Sequence, residues 1–350
     1  MTDPYSPMEF KPKEATREEW DLYHAYRRIR HQDTRPDDPV TPDELVEKSM
    51  KRDDPFGENK TFVIISDGRM VSGFGAGVMK PNAPGYESNK QYLWGGGGVL
   101  TDYRRKGIGT IWLSKAHELM TEWDRTVWTI WGVEEDDGHA FMKTLGAEQK
   151  VLFAENRLDF RKVDWDLVTR WIDEGISRNA DVKLEMFEDR VPEDFYEEYS
   201  PILSELLNTM PFDDLDHGEI VITPETMRDD QERFDEVGRK IHTLVARLPD
   251  GRLAGMTDVG WNSAKPNYID QRFTGVHPDA RGRGLGKLTK AYMLNFLKER
   301  YEDIWWVVTG NAESNAPMLA INKALGFFQY KLSGTYQISR DDLAKYLASA

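Results

Sequence analysis

The stretch "VHPDARGRGLGKLTK", Val276 to Lys290, gathers arginine, lysine and alternating glycines where a strand pattern hands over to a helix pattern. A turn needs one glycine for positive φ. The spacing Gly282, Gly284, Gly286 keeps a longer run of backbone bare, so that something can approach it. The first turn of a helix leaves its N–H groups unpaired and attracts anions. Arg281, Arg283 and Lys287 add charge-assisted donors for phosphate oxygens. The chemistry is that of an anion cradle, sized for a pyrophosphate. Two familiar nucleotide loops fit poorly. A Walker loop needs four residues before its Gly-Lys-Ser/Thr, and here three separate Gly282 from Gly286, with Leu288 at the hydroxyl position. A dinucleotide fingerprint needs glycines at the first, third and sixth positions, not the first, third and fifth.

The chain around this loop has 350 residues, 39% of them hydrophobic and 31% charged, which describes a globular protein of two compact units or one large one. It has no cysteine, which removes thiol nucleophiles, thiolate metal sites and disulfides. A net charge of −15 argues against nucleic acid or an anionic membrane as partner. No apolar run approaches the roughly 20 residues of a membrane helix, and the first residues lack the order of a secretory signal. The expectation is a cytoplasmic protein. The basic cluster at Tyr26–His31 reads as the solvent face of a helix.

The cradle occurs twice. "VLTDYRRKGIGTIWLSKAHELM", Val99 to Met120, aligns without gaps on Val276 to Leu297 at an offset of 177 residues. A strand and a helix ending in Leu-Gly follow both copies, so the repeat is a duplicated domain. Each half reads as strand, helices, a three-strand meander, helix, strand, helix, strand. Hairpins are expected at Asp67-Gly68 and Asp250-Gly251. Apolar stripes at Ile108, Trp112, Ala116, Leu119 and Trp123, and at Leu285, Leu288, Tyr292 and Phe296, predict one buried face on each helix after the loop. The segment 162–180 reads as a helical connector between halves 1–161 and 181–350.

Arg281-x-x-Gly284-x-Gly286, with "VVTGNAESNAPMLAINKALGF" behind it, resembles the acyl-CoA loop of the GNAT superfamily of N-acyltransferases, and Arg104-x-x-Gly107-x-Gly109 resembles it again. The resemblance implies an α+β fold: tandem domains, each a central mixed, mostly antiparallel sheet flanked by helices. It implies acetyl-CoA as cosubstrate, no metal, and direct transfer of the acetyl group to a primary amine of a small molecule, by a monomer or homodimer. Val276, Arg281, Gly282, Arg283, Gly284, Leu285, Gly286, Lys287 and Asn315 would then hold acyl-CoA. Arg104, Arg105, Lys106, Gly107, Ile108 and Gly109 would form a second acyl-CoA site or a silent structural copy. Asn315 is open to the plainer reading of a helix cap.

Within that resemblance, the Val276 amide would donate to the tetrahedral oxyanion. Asp270, eleven residues before Arg281, stands where histone acetyltransferases of the superfamily carry a glutamate base. Asp270 would take the amine proton through a water, or else it ends a turn or faces solvent. The same count in the first half reaches Leu93, so that half is expected to be catalytically silent. The position of the usual tyrosine acid holds Asn322, and its counterpart holds Met142. Either another tyrosine serves (Tyr268, Tyr330 and Tyr336 are candidates) or CoA departs as a thiolate. The acidic stretch Met210–Glu219 would favour a cationic acceptor, or is a solvated loop. A noncatalytic acyl-CoA-binding or sensing protein is the rival reading, supported by Asn322.

Overall fold

The computed structural model describes residues 5–349. In chain order the first half gives β1 (Pro7–Phe10), α1 (Arg17–Thr34), α2 (Asp43–Lys51), β2 (Gly57–Ser66), β3 (Arg69–Met79), α3 (Tyr86–Asn89), β4 (Tyr92–Val99), α4 (Ile108–Glu122), β5 (Val127–Val133), α5 (Asp136–Leu145) and β6 (Glu148–Asp159). After α6 (Trp165–Arg178) the order recurs: β7 (Lys183–Phe187), α7 (Tyr196–Asn208), α8 (Pro224–Glu236), β8 (Arg239–Arg247), β9 (Leu253–Asn262), β10 (Tyr268–Val276), α9 (Leu285–Arg300), β11 (Trp306–Ala312), α10 (Ala316–Leu325) and β12 (Phe328–Ser339), then α11 (Arg340–Ser349).

Local chemistry sets the ends of these elements. Asp67 and Gly68 both take positive φ, 52° and 71°, which is the turn that matches the twist of the β2–β3 hairpin. Thr16 and Glu19 form a capping box at the start of α1. Both Leu-Gly signals are left-handed glycine caps, Gly146 after α5 and Gly326 after α10.

Two compact units emerge, and they are not the two sequence halves. Unit 1 holds residues 5–151, 214–219 and 333–349; unit 2 holds 152–213 and 220–332. In unit 1 the strands run β1-β2-β3-β4-β5-β12, and β12 pairs antiparallel with β5 from Gly334↔Val133 to Ser339↔Val127. In unit 2 they run β6-β11-β10-β9-β8-β7, and β6 pairs antiparallel with β11 from Phe153↔Ala312 to Asp159↔Trp306. Each half thus gives its last strand to the unit built on the other half. Both sets of strands are antiparallel except for one parallel pair each, β4 with β5 and β10 with β11.

The core of unit 1 lies between its sheet and α4, α5 and α11 (Phe74, Leu93, Trp112, Leu113, Trp128, Met142 and Leu343 among others). In unit 2, α9 is buried more widely than one stripe predicts: Thr289, Lys290, Ala291, Met293 and Leu294 are buried as well. The connector helix explains the difference. α6 packs along α9, where a Cβ on Gly175 would stand 2.8 Å from Leu288 and where Lys287 lies over the Trp171 ring. It is therefore a structural part of unit 2.

Candidate functional site

The parallel pairs position the site. The β10–β11 ladder ends at Asp270↔Val308, and beyond it β10 pairs only with β9 while β11 pairs only with β6. Gln271–Val276 and Thr309–Ala312 therefore face each other across a splay with free backbone edges, suited to take an extended ligand as an extra strand. The His277 amide donates to the Ala254 carbonyl at 2.8 Å. By strand alternation the Val276 amide points the other way, toward the splay. The Val276 carbonyl accepts from Arg281 Nε at 3.2 Å, which ties the loop to the strand.

At the mouth of the splay, Gly282 and Gly284 take left-handed φ of 78° and 81°, and no heavy atom lies within 4 Å of where a Cβ on Gly282 would stand. That bare backbone opens onto the start of α9, and the combination fits a pyrophosphate. Leu285 is buried and anchors the first turn. A Cβ on Gly286 would lie 3.5 Å from Ile321 of α10 and 3.7 Å from Val276, so α9, α10 and the oxyanion strand converge there. Arg281 also reaches Thr209 Oγ1 at 3.3 Å.

Other loop cations are engaged elsewhere. Arg283 is turned to Asn179 and Asp181 at the end of α6, and Lys287 stacks on Trp171. Asn315 caps α10, its side chain accepting from the Met318 amide at 3.3 Å.

The loop of unit 1 has the same path and different partners. Arg104 Nε donates to the Val99 carbonyl at 3.4 Å, as Arg281 does to Val276. Its guanidinium is held by Glu135, at 2.8 and 2.9 Å, and by Asp137 at 3.3 Å. Burial alone would raise the Glu135 carboxyl, but Arg104 and then Arg30 hold it below the ordinary range. The protein's own carboxylates thus occupy the charge that a phosphate would use. Arg105 stands where unit 2 has Gly282 and sits at φ 60°, a strained setting for a residue with a Cβ. Lys106 lies over the Tyr103 ring, Gly107 takes φ 85°, Ile108 is buried, and a Cβ on Gly109 would meet Phe141 at 3.0 Å.

Asp270 closes the paired stretch of β10, half exposed and in an ion pair with Arg239. Sequence reasoning missed its neighbour Asp258 on β9. Asp258 is buried, its Oδ1 has no hydrogen-bond partner, and Arg272 approaches its other oxygen at 3.3 Å. Burial pushes the Asp258 carboxyl up, against the pull of Arg272. Arg239 and Arg272 both lie over the Phe234 ring, 5.4 and 5.1 Å from its centre, so the two ion pairs form one cluster. No carboxylate occurs on β3 or β4 of unit 1.

Lys290 was also missed. It is 3% exposed on α9, its Nζ donates to Asn322 Oδ1, and Asn322 Nδ2 donates to Asn311 Oδ1 on β11 at 2.8 Å. Burial pushes the lysine down to about 7. The signal lay in the duplication: at the offset of 177 its counterpart is Leu113, and counted back four residues from the Leu-Gly glycines, Gly326 and Gly146, Asn322 matches Met142.

Of the candidate tyrosines, Tyr336 lies in unit 1, hydrogen-bonded to His139 at 2.7 Å. The Tyr330 ring lies 3.4 Å from the Arg157 guanidinium, and Tyr268 begins β10. The acidic stretch is divided as well. Residues 214–219 are built into unit 1, where Gly218 N bonds Asn89 Oδ1 at 3.2 Å and Asp216 N bonds Gln337 Oε1 at 3.0 Å. Residues 210–213 fall in unit 2. Among the described residues no group of three or more His, Asp or Glu could hold a metal, and no helix is long and apolar enough to cross a membrane.

Comparison with known proteins identifies the fold. The tandem GNAT protein from the clavulanic acid biosynthesis pathway superposes with a TM-score of 0.72 at 22% identity, covering 96% of this chain and 98% of that one. A GCN5-related N-acetyltransferase from Sphaerobacter thermophilus gives a TM-score of 0.64 at 13% identity, covering 97% of both chains. In sequence, the mycothiol acetyltransferase of Thermomonospora curvata is 35% identical over 105 residues, a match that spans 30% of this chain and 32% of that protein. The family model described as acetyltransferase (GNAT) matches residues 20–147 and again 194–327, well over half of the chain. The chain therefore belongs to the GNAT acetyltransferase family, with the family's domain present twice in tandem.

Proposed function

We propose that the chain transfers an acetyl group from acetyl-CoA to a primary amine of a small molecule, by direct attack, and that the site of unit 2 does the work. The observation that carries the reading is the contrast between the two arginines: Arg104 is neutralised by Glu135 and Asp137, whereas Arg281 meets a carbonyl and a hydroxyl. In unit 2 the bare loop and α9 would hold the pyrophosphate, and the free edge of β10 the pantetheine. The Val276 amide would donate to the oxyanion that forms at the thioester carbon.

Attack requires a neutral amine, so a carboxylate must take a proton. Asp270 is the proposed base, acting through a water because its carboxylate is shared with Arg239. The raised pKa and unpartnered oxygen of Asp258 favour it as a second candidate. The 1–161 and 181–350 halves remain the proposed evolutionary domains, with the first catalytically silent.

Calorimetric titration with acetyl-CoA tests the reading. Gly107 and Gly284 share the same left-handed setting, so leucine at either position brings the same backbone strain. Gly284→Leu is expected to abolish binding and Gly107→Leu to leave it within about twofold. Equal loss from both would move the working site, and no binding by the unaltered protein would remove the acetyl-CoA reading.

A further inference from the structure

We infer that Lys290 is the proton donor to the departing CoA thiolate, taking the role that a tyrosine fills in relatives and that Asn322 cannot fill. The inference rests on the acetyl-CoA reading above. The geometry has three parts. Asn322 follows Ile321 on α10, and a Cβ on Gly286 of α9 would stand 3.5 Å from Ile321 and 3.7 Å from Val276. Lys290 Nζ is bonded to Asn322, and Asn322 to Asn311, whose strand is part of the splay. The chain of three therefore runs from the interior of α9 to the wall of the gap where the sulfur would stand.

The duplicated unit supplies an independent argument. Leu113 and Met142 belong to the buried apolar cluster of unit 1, so an apolar pair packs between the equivalent helices. Unit 2 keeps a lysine and an asparagine at the same two positions, both buried. A buried amine is expensive to hold without a counter-ion. Among the described residues no carboxylate pairs with Lys290; its neighbours are Asn322 and, 5.4 Å from Nζ, the Phe327 ring. Nothing in the packing of the fold requires it, as unit 1 demonstrates.

The step balances. As the tetrahedral adduct collapses, the carbon–sulfur bond breaks and its electron pair goes to sulfur. Nζ gives its proton to that sulfur and becomes neutral, while the amine's proton has gone to the carboxylate base. Solvent then reprotonates Nζ. Burial holds Lys290 near neutrality, at about 7, where an amine gives up its proton readily and regains it from solvent.

The test needs no acceptor. The chain has no cysteine, so once the titration of the protein without CoA is subtracted to remove the tyrosine signal, the thiolate absorbance of a CoA complex reports the CoA sulfur. CoA would be titrated from low to high pH on the unaltered protein, on Lys290→Met and on Lys290→Gln, with calorimetric CoA affinity measured on each sample. An ammonium beside the sulfur should lower the bound thiol's pKa by about one to three units. Both variants should bind CoA and return the thiol to its value in free CoA; glutamine keeps a donor toward Asn322 and removes only the charge. An equal thiol pKa in unaltered and variant complexes would overturn the proposal while leaving acetyl-CoA binding intact. Absence of CoA binding in the unaltered protein would remove both readings together.

Discussion

The two units repeat one backbone and fill it differently. Val99↔Ser72 in unit 1 and Val276↔Gly255 in unit 2 occupy the same place in the ladder, which makes Phe74 the counterpart of Thr257. Around Phe74, unit 1 packs Trp112 and Trp128 with ring centres 5.5 and 6.0 Å away, and the Trp112 indole donates to Ser72. Around Thr257, unit 2 places Thr274 and Gln271, hydrogen-bonded at 2.7 and 3.1 Å. Trp112 becomes Thr289, and Leu113 becomes Lys290. Aromatic filling is what a domain selected for stability retains, whereas a satisfied polar network is tolerated where chemistry or specificity uses it. The difference distinguishes the proposed scaffold from the proposed site more sharply than the glycine loops, which both units keep.

The largest effect should come from cutting the exchanged strand. Ending the chain at Leu332 removes from unit 1 the strand that pairs with β5 and the helix that carries Leu343. Hydrogen exchange should then show loss of protection throughout β5 and α4, with β8–β10 still protected. Retained protection in β5 would mean that unit 1 closes without its borrowed strand.

Next come the carboxylates, measured with the amine that a screen identifies. Asp270→Asn should lower turnover by about 10²- to 10⁴-fold, the usual contribution of a general base. Glu135→Gln in unit 1 should change it less than twofold. If Asp258→Asn is the damaging change and Asp270→Asn is mild, the base is the buried carboxyl.

Lys290 gives a smaller effect with a definite sign. Its folded pKa lies below its unfolded value, so the unfolded chain binds more protons between about 7 and 10.5, and stability rises with pH across that window. Lys290→Met removes the term. The variant should be more stable than the parent at neutral pH, with an advantage that shrinks by about 1.4 kcal/mol per pH unit toward pH 10. Paired thermal melts from pH 7 to pH 9.5 would read it, and a pH-independent difference would place the lysine's pKa outside the window.

The smallest effect belongs to the loop of unit 1. Arg105→Gly relieves a left-handed residue and should stabilise by about 1 kcal/mol without changing acetyl-CoA affinity.

Much of this was legible because its cause is local. The Asp-Gly hairpins, the Leu-Gly caps and the doubled loop each depend on a few adjacent residues, and the structure has them where the sequence places them. The exchange of last strands was not legible. β6 and β12 both follow a Leu-Gly cap, and nothing in either strand says which copy of the sheet it joins. The ion pair of Arg283 with Asp181 was not legible either, because the two lie 102 residues apart in the chain. Lys290 was concealed by its company: a lysine within a helix ordinarily faces solvent, and this one is turned onto Asn322 of α10 and the Phe327 ring.

The exchange also sets an order of events during synthesis. The ribosome makes the chain from its N-terminus, so β1 to β5 emerge long before the partner that completes them. Until residues 333–339 appear, the outer edge of β5 presents open N–H and C=O groups, an edge that pairs readily with the wrong strand. Unit 2 has no such wait, because β6 precedes β11 in the chain. The first domain to be translated is therefore the last to finish, and its hazard while unfinished is misassembly with a neighbouring nascent copy.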